Sequence, residues 1–106
     1  MQVFDLNKIR AHPYAERDKN VLYAKNNFKV RIIELPPDGE IPPCEMKSYV
    51  IFYVITGNTT VIINKKDVIL RKGQCLITEP ATLSMRTDSG VKLMGILIEK
   101  TQVIHE

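Results

Sequence analysis

A chain of 106 residues, 44% apolar and 25% charged, has the composition of one ordinary globular domain with room for a single core. Its net charge of +3 and pI of about 8.9 come from Lys and Arg scattered between Lys8 and Lys100, without the concentrated basic face that nucleic-acid binding requires. No run approaches the ~18 to 20 apolar residues of a membrane span, and "MQVFDLNKIR" has no basic head leading into an apolar stretch, so the expectation is a cytoplasmic protein without a secretory signal. Two cysteines, Cys44 and Cys75, do not make a disulfide framework and suit a reducing compartment; whether they meet is left open.

Residues 1–27 read as an N-terminal arm. "DLNKIRAHPY" holds one short helical turn ended by Pro13, because the residue before proline avoids the α region. "VLYAK" then reads as an edge strand. From Phe28 onward the pattern is short strands between turn signals, a barrel domain over residues 28–106. "FKVRIIEL" is a strand, and "PPDGEIPP" is a loop, since its prolines cannot donate to a ladder. "SYVIFYVITG" is a nearly continuous apolar strand that ends in a tight turn at Gly57-Asn58, with "TTVIIN" as the returning strand. "KKD" turns the chain into "VILR", which runs to Lys72-Gly73. "QCLIT", "SMRT" and "VKLMGILIEK" complete the set, separated by "EPATL" and "DSG". Seven or eight strands with closely spaced turns define an all-β sandwich or barrel.

"VRIIELPPDGEIPP", "FYVITGNTTVIINKKDVILRKGQCLITEPATLS" and "VKLMGILI" resemble a small single-domain cupin over residues 21–100. The resemblance rests on Gly39, Pro42-Pro43, the Phe52-Tyr53-Val54 strand ending at Gly57, and Gly73 heading the next strand. It implies a small antiparallel jelly-roll barrel. In the family's first motif, counting back from Gly57 puts the Glu position on Val50 and the two His positions on Met46 and Cys44. Counting forward from Gly39 puts the first His position on Glu45 instead. The Gly57 count is preferred, because a strand holds register where a proline loop varies in length. In the second motif, counting from Gly73 puts the proline on Glu79, the glycine on Ala81 and the histidine on Ser84, with Pro80 keeping a proline in the loop. The family's metal-binding positions therefore correspond to Cys44, Met46, Val50 and Ser84.

That donor set does not suit Mn, Fe, Ni or Zn, which take nitrogen and oxygen ligands. The two histidines, His12 and His105, lie near the ends of the chain and outside both motifs. The expectation is a barrel that needs no metal or other cofactor. Three functions follow from it. The first is a non-catalytic or regulatory barrel that binds a small molecule. The second is an enzyme with a non-standard site. That site is either Cu(I) held by Cys44 and Met46 with help from Met85 or Met94, or acid–base chemistry on Glu45, Glu79 or Tyr53. The third is a structural or partner-binding dimer with a filled interior. A nucleophilic Cys44 would need a base, and none stands near it in sequence. Arg31 and Arg86 are candidates to hold a carboxylate or phosphate from a strand. Exposed sheet edges, with the N-terminal strand pairing across subunits, make a homodimer the expected assembly.

Overall fold

The computed structural model describes residues 1–100. Among them no helix is long and apolar enough to cross a membrane. A 3₁₀ helix, Tyr14–Asn20, precedes eight strands: β1 (Val21–Lys25), β2 (Phe28–Leu35), β3 (Glu40–Glu45), β4 (Tyr49–Ile63), β5 (Lys66–Arg71), β6 (Cys75–Thr78), β7 (Thr82–Arg86) and β8 (Val91–Ile98). "DLNK" closes a turn, with the Lys8 N–H donating to the Asp5 carbonyl at 3.0 Å. The helix proper starts after Pro13 rather than ending at it. Pro13 caps it in an extended conformation (φ −51°, ψ 150°), and the restriction on the residue before proline keeps helix from forming on the other side.

Two turn readings are corrected. "EIPPCE" is strand β3, not loop. It is the terminal strand of the sheet path, and its register shifts between Ile41 and Cys44, where Pro42 and Pro43 sit. An edge bulge is where a strand tolerates residues without an N–H. The second correction is at Gly57-Asn58, where the chain does not turn back. β4 continues through it for 15 residues, so that "TTVIIN" is the second half of the same strand. Gly57 takes φ +79° at this point, and the pairing changes partner: Gly57 is opposite Val91 of β8, and Asn58 is opposite Arg71 of β5. The hairpin turn comes later, at Asn64 and Lys65, which both have positive φ as a type I′ turn requires.

β4 thereby joins two antiparallel sheets into one curled half-barrel. Its first half lies between β8 and β6, with β2 and β1 beyond β8. Its second half lies between β5 and β7, with β3 beyond β7. Period-two alternation sends Val50, Phe52 and Val54 inward from one half and Val61 from the other. They meet Ile33, Leu83, Met85 and Leu93 in a single core. Buried hydroxyls are satisfied: Thr59 donates to the Arg86 carbonyl at 2.8 Å and Thr87 to the Asn58 carbonyl at 2.7 Å.

The arm runs along its own barrel. Asn20, buried, grips the backbone of His12 at both N–H (2.7 Å) and carbonyl (3.0 Å). The Ala11 N–H donates to Glu34, and the Lys92 ammonium donates to the Ile9 carbonyl. Strand β1 pairs with β2 of the same chain along one edge, leaving its other edge unpaired in the sheet order.

Candidate site at the barrel mouth

The interior holds a small cavity of about 30 Å³, bordered by Tyr14, Arg31, Cys44, Met46, Phe52 and Met85 among others. Volume on that scale admits a water or two, far less than the ~300 Å³ or more of a typical ligand pocket. The cavity leads outward past Tyr14, Ile41 and Cys44, which also line an open groove of about 480 Å³ floored by Pro42 and Pro43 and flanked by Arg17 and Glu40.

Strand parity decides which residues look into this space. Cys44 is opposite Leu83, whose side chain is buried in the core, so Cys44 belongs to the inner face at the rim. Met46 packs against the core two residues on. Val50 is 1% exposed and lies deeper, packed in the core rather than on the cavity wall. Ser84 is the exception. It borders the cavity but lies between Leu83 and Met85, both buried inward, and is opposite Ile62 on the outer face. A period of two sends its hydroxyl away from Cys44 and Met46. The four positions aligned by the motif counts therefore do not converge: Cys44, Met46 and Val50 face in, and Ser84 faces out. Met85 takes the inner position beside it and borders the cavity. Met94, paired with Tyr53 and Ile32, lies on the outer face.

The charged candidates also separate. Arg31 is opposite Gly95, which is opposite the inward Phe52, so it reaches into the mouth. Its guanidinium carbon stands 5.9 Å from the centre of the Tyr14 ring, and that of Arg17 stands 4.8 Å from it, both within cation–π range. Among the described residues no carboxylate pairs with Arg31. Arg86 is on the outer face, bound to Asp67 at 3.2 Å with both side chains more than half exposed. Glu45 and Glu79 are exposed and outside the cavity. Tyr53 is on the outer face, opposite Cys75, so Cys75 and Cys44 lie on opposite sides of the barrel wall, and both are free thiols. No three His, Cys, Asp or Glu side chains among the described residues cluster as metal ligands would. His105 lies outside the described residues.

A curled antiparallel sheet with both halves sharing one long strand, and a mouth bordered by an N-terminal segment, defines a small β-barrel of jelly-roll type. It is the cupin fold. The structure superimposes on the cupin domain of Schizosaccharomyces pombe Cnp3 with a TM-score of 0.70 at 18% identity, covering 76% of this chain and 62% of that one. A cupin superfamily protein from Desulfitobacterium hafniense gives 0.72 at 10% identity, covering 90% and 87%. KdgF from Halomonas sp. gives 0.66 at 10%, covering 77% of each chain. At these identities the likeness establishes the fold alone, and the chain spans under two thirds of the length of the Cnp3 domain. No family model matches the sequence, and no curated protein does.

The fold family implies a metal at the place of Cys44, Met46, Val50 and Ser84. Cys44 and Met46 supply a thiol and a thioether, Val50 supplies nothing, and Ser84 points away. These residues do not fit a divalent ion that takes imidazole and carboxylate ligands.

Proposed function

We propose that this protein is a non-catalytic cupin barrel that binds a small anionic molecule at its mouth, with Arg31 as the anchor. One observation carries the reading: an arginine points into a largely apolar cavity, whose outer groove also carries Arg17 and Glu40, with no carboxylate ion-paired to it among the described residues. A guanidinium in such surroundings is matched by a planar carboxylate or a phosphate, which it holds bidentately. The apolar part of the ligand lies along Tyr14, Ile41 and Pro42 in the open groove, because the interior itself is too full to take it. Catalysis finds little support at this place: no acid–base pair stands beside Arg31, and Glu45 and Glu79 are elsewhere.

The test is a set of thermal melts with small mono- and dicarboxylates and with inorganic phosphate. A ligand at a hundred times its dissociation constant stabilises the fold by ~2.7 kcal/mol. At least one anion should raise the melting temperature saturably. Arg31→Gln should weaken that binding by ~10-fold or more, the value of a charged hydrogen-bonded pair, and Arg86→Gln should leave it unchanged. Equal loss in both variants, or no response to any anion, overturns the reading.

A second reading is favoured by one specific arrangement: Cys44, Met46 and Met85 border the same small cavity. A thiolate with two thioethers is chemistry suited to Cu(I). Anaerobic competition with a chromogenic Cu(I) chelator decides it. One equivalent bound by the parent and lost in Cys44→Ser would favour this reading over the anion site, and chelator retaining all the copper would dismiss it.

A further inference from the structure

Resting on Arg31 as the anchor of an anion, we infer that residues 13–19 are a lid over that site, and that Tyr14 on this lid decides how bulky an anion the barrel admits. The lid is pinned at its base. Upstream of it the arm is tied down, where Lys92 donates to the Ile9 carbonyl and the Ala11 N–H donates to Glu34. Downstream of it Asn20 accepts from the His12 N–H at 2.7 Å and donates to the His12 carbonyl at 3.0 Å. His12 and Asn20 thereby clasp the two ends of a loop. Within that loop Pro13, Ala15, Glu16, Arg17, Asp18 and Lys19 are all exposed, and Tyr14 alone packs against the core. The polar contacts of the loop are internal to it: Lys19 pairs with Glu16 at 2.7 Å, and Arg17 lies over the Tyr14 ring. Glu16 leaves helical geometry (φ −107°, ψ 30°), so the 3₁₀ helix is kinked as well as short. A segment held to its fold by one side chain and a clasp at its base is at the low end of local stability, where opening costs least.

The Tyr14 ring is a partition between two spaces. It borders the interior cavity of about 30 Å³ and the outer groove of about 480 Å³. Ile41 and Cys44 also border both, but they belong to β3, which is paired to β7 and fixed by it. Behind the ring the walls are apolar, among them Ile33, Phe52, Leu83, Met85 and Leu97. Arg31 borders the same cavity, with its guanidinium carbon 5.9 Å from the ring centre. Swinging the ring outward joins cavity and groove and leaves Arg31 at the junction of an apolar interior and the solvent. The anion that matches this arrangement is an aromatic monocarboxylate. Its ring takes the space that the Tyr14 ring gives up, and its carboxylate takes the guanidinium. With the lid shut such a ligand has only the groove to lie in. A small anion such as phosphate needs Arg31 and no room behind it.

The lid acts on selectivity through its population. An open state present at ~0.1 to 10% lowers the apparent affinity of any ligand that needs it by that same fraction. Tyr14→Ala removes the stopper, so the ratio of benzoate affinity to phosphate affinity should rise ~10-fold or more. Asn20→Ala releases the clasp on His12 while the ring stays in place, and it should raise the same ratio. Taking the ratio removes the effect common to both anions, such as the loss of one cation–π contact to Arg31, worth ~5-fold at most at an exposed site. Tyr14 is half-buried and lies outside both sheets, so its alanine variant keeps the parent's far-ultraviolet circular dichroism.

Isothermal titration calorimetry of the full chain with benzoate and with inorganic phosphate, on the parent and the two variants, is the test. A ratio that rises in both variants is the expected result. A ratio unchanged or lowered in Tyr14→Ala overturns the inference. A rise in Tyr14→Ala but not in Asn20→Ala overturns it too, because Tyr14 would then be a fixed wall and not part of a lid. Fluorobenzene, followed by fluorine NMR, separates the lid from the anchor, since it carries no charge for Arg31 to hold. It should bind Tyr14→Ala saturably, as apolar cavities of ring size bind benzene, and bind the parent ~10-fold more weakly or less. If neither anion binds any of the three proteins, the reading of Arg31 fails and fluorobenzene decides the lid. Entry into both variants with exclusion from the parent upholds the lid, and any other pattern overturns it.

Discussion

Replacing Gly57 by alanine tests the junction that gives the barrel its shape. The residue sits where β4 leaves β8 and begins to pair with β5. A Cβ built there would lie 2.2 Å from the Gly90 carbonyl oxygen and 3.0 Å from the Val91 Cα, both backbone atoms that cannot rotate away. The φ of +79° adds ~1 to 2 kcal/mol for any residue with a side chain. Relieving the clash means moving the 88–90 turn off β4, an overpacking strain of ~1 to 3 kcal/mol. The sum, about 2 to 5 kcal/mol, is a large share of the stability of a domain this small. Gly73 provides the control. It has a nearly equal φ of +83°, yet a Cβ added to it would meet nothing within 4 Å. Gly73→Ala therefore carries the backbone term alone, partly offset by the smaller entropy of the unfolded alanine chain, for a net loss of ~1 kcal/mol or less. Urea unfolding followed by far-ultraviolet circular dichroism suits a chain without tryptophan. The two variants share the backbone and unfolded-chain terms and differ by the ~1 to 3 kcal/mol of overpacking, so at ~4 to 8 °C per kcal/mol for a domain of this size they should melt roughly 4 to 24 °C apart. Equal losses would refute the close approach of Gly57 to the 88–90 turn.

Thr87→Val should cost about 1 to 3 kcal/mol, since its buried hydroxyl both donates to the Asn58 carbonyl and accepts from the Gly90 N–H; chemical denaturation measures it, and a neutral result would contradict that bridge. Arg86→Ala should change stability by no more than ~0.5 kcal/mol, because its ion pair with Asp67 is exposed on both sides; a larger loss in the same assay would show that the pair is structural. Alkylation after denaturation without reductant should label both Cys44 and Cys75, with two adducts by intact mass, as two free thiols on opposite sides of the wall require. An unlabelled pair would mean a disulfide.

Local chemistry announced the strands themselves. β-branched and aromatic runs in "FKVRIIEL", "YVIFYV" and "VKLMGILI" marked β2, the first half of β4 and β8, and the closely spaced turn signals between them pointed to an all-β barrel. Local chemistry could not say whether Gly57-Asn58 turns the chain or only bends it. A glycine with positive φ serves a hairpin and a bulge alike, and the choice rests on which strands lie alongside, here β8 before the glycine and β5 after it. The same limit explains β3, where two prolines read as loop until the strand is seen at a sheet edge. It also explains Ser84 and the two arginines. Which face a strand residue occupies turns on register, and a slip of one residue exchanges inside for outside, so motif spacing could not tell the face of Ser84 from that of Met85 and left Arg31 and Arg86 indistinguishable. The register of β2 on β8 and of β8 on β4 sends Arg31 inward, and that of β7 on β4 sends Arg86 outward. The nearly continuous apolar run of "SYVIFYVITG" was legible as a strand. Only the assembled sheet aligns Ile51 with Ile96, Val30 and Ile77, because an extended apolar face is a property of strands side by side and of no single strand.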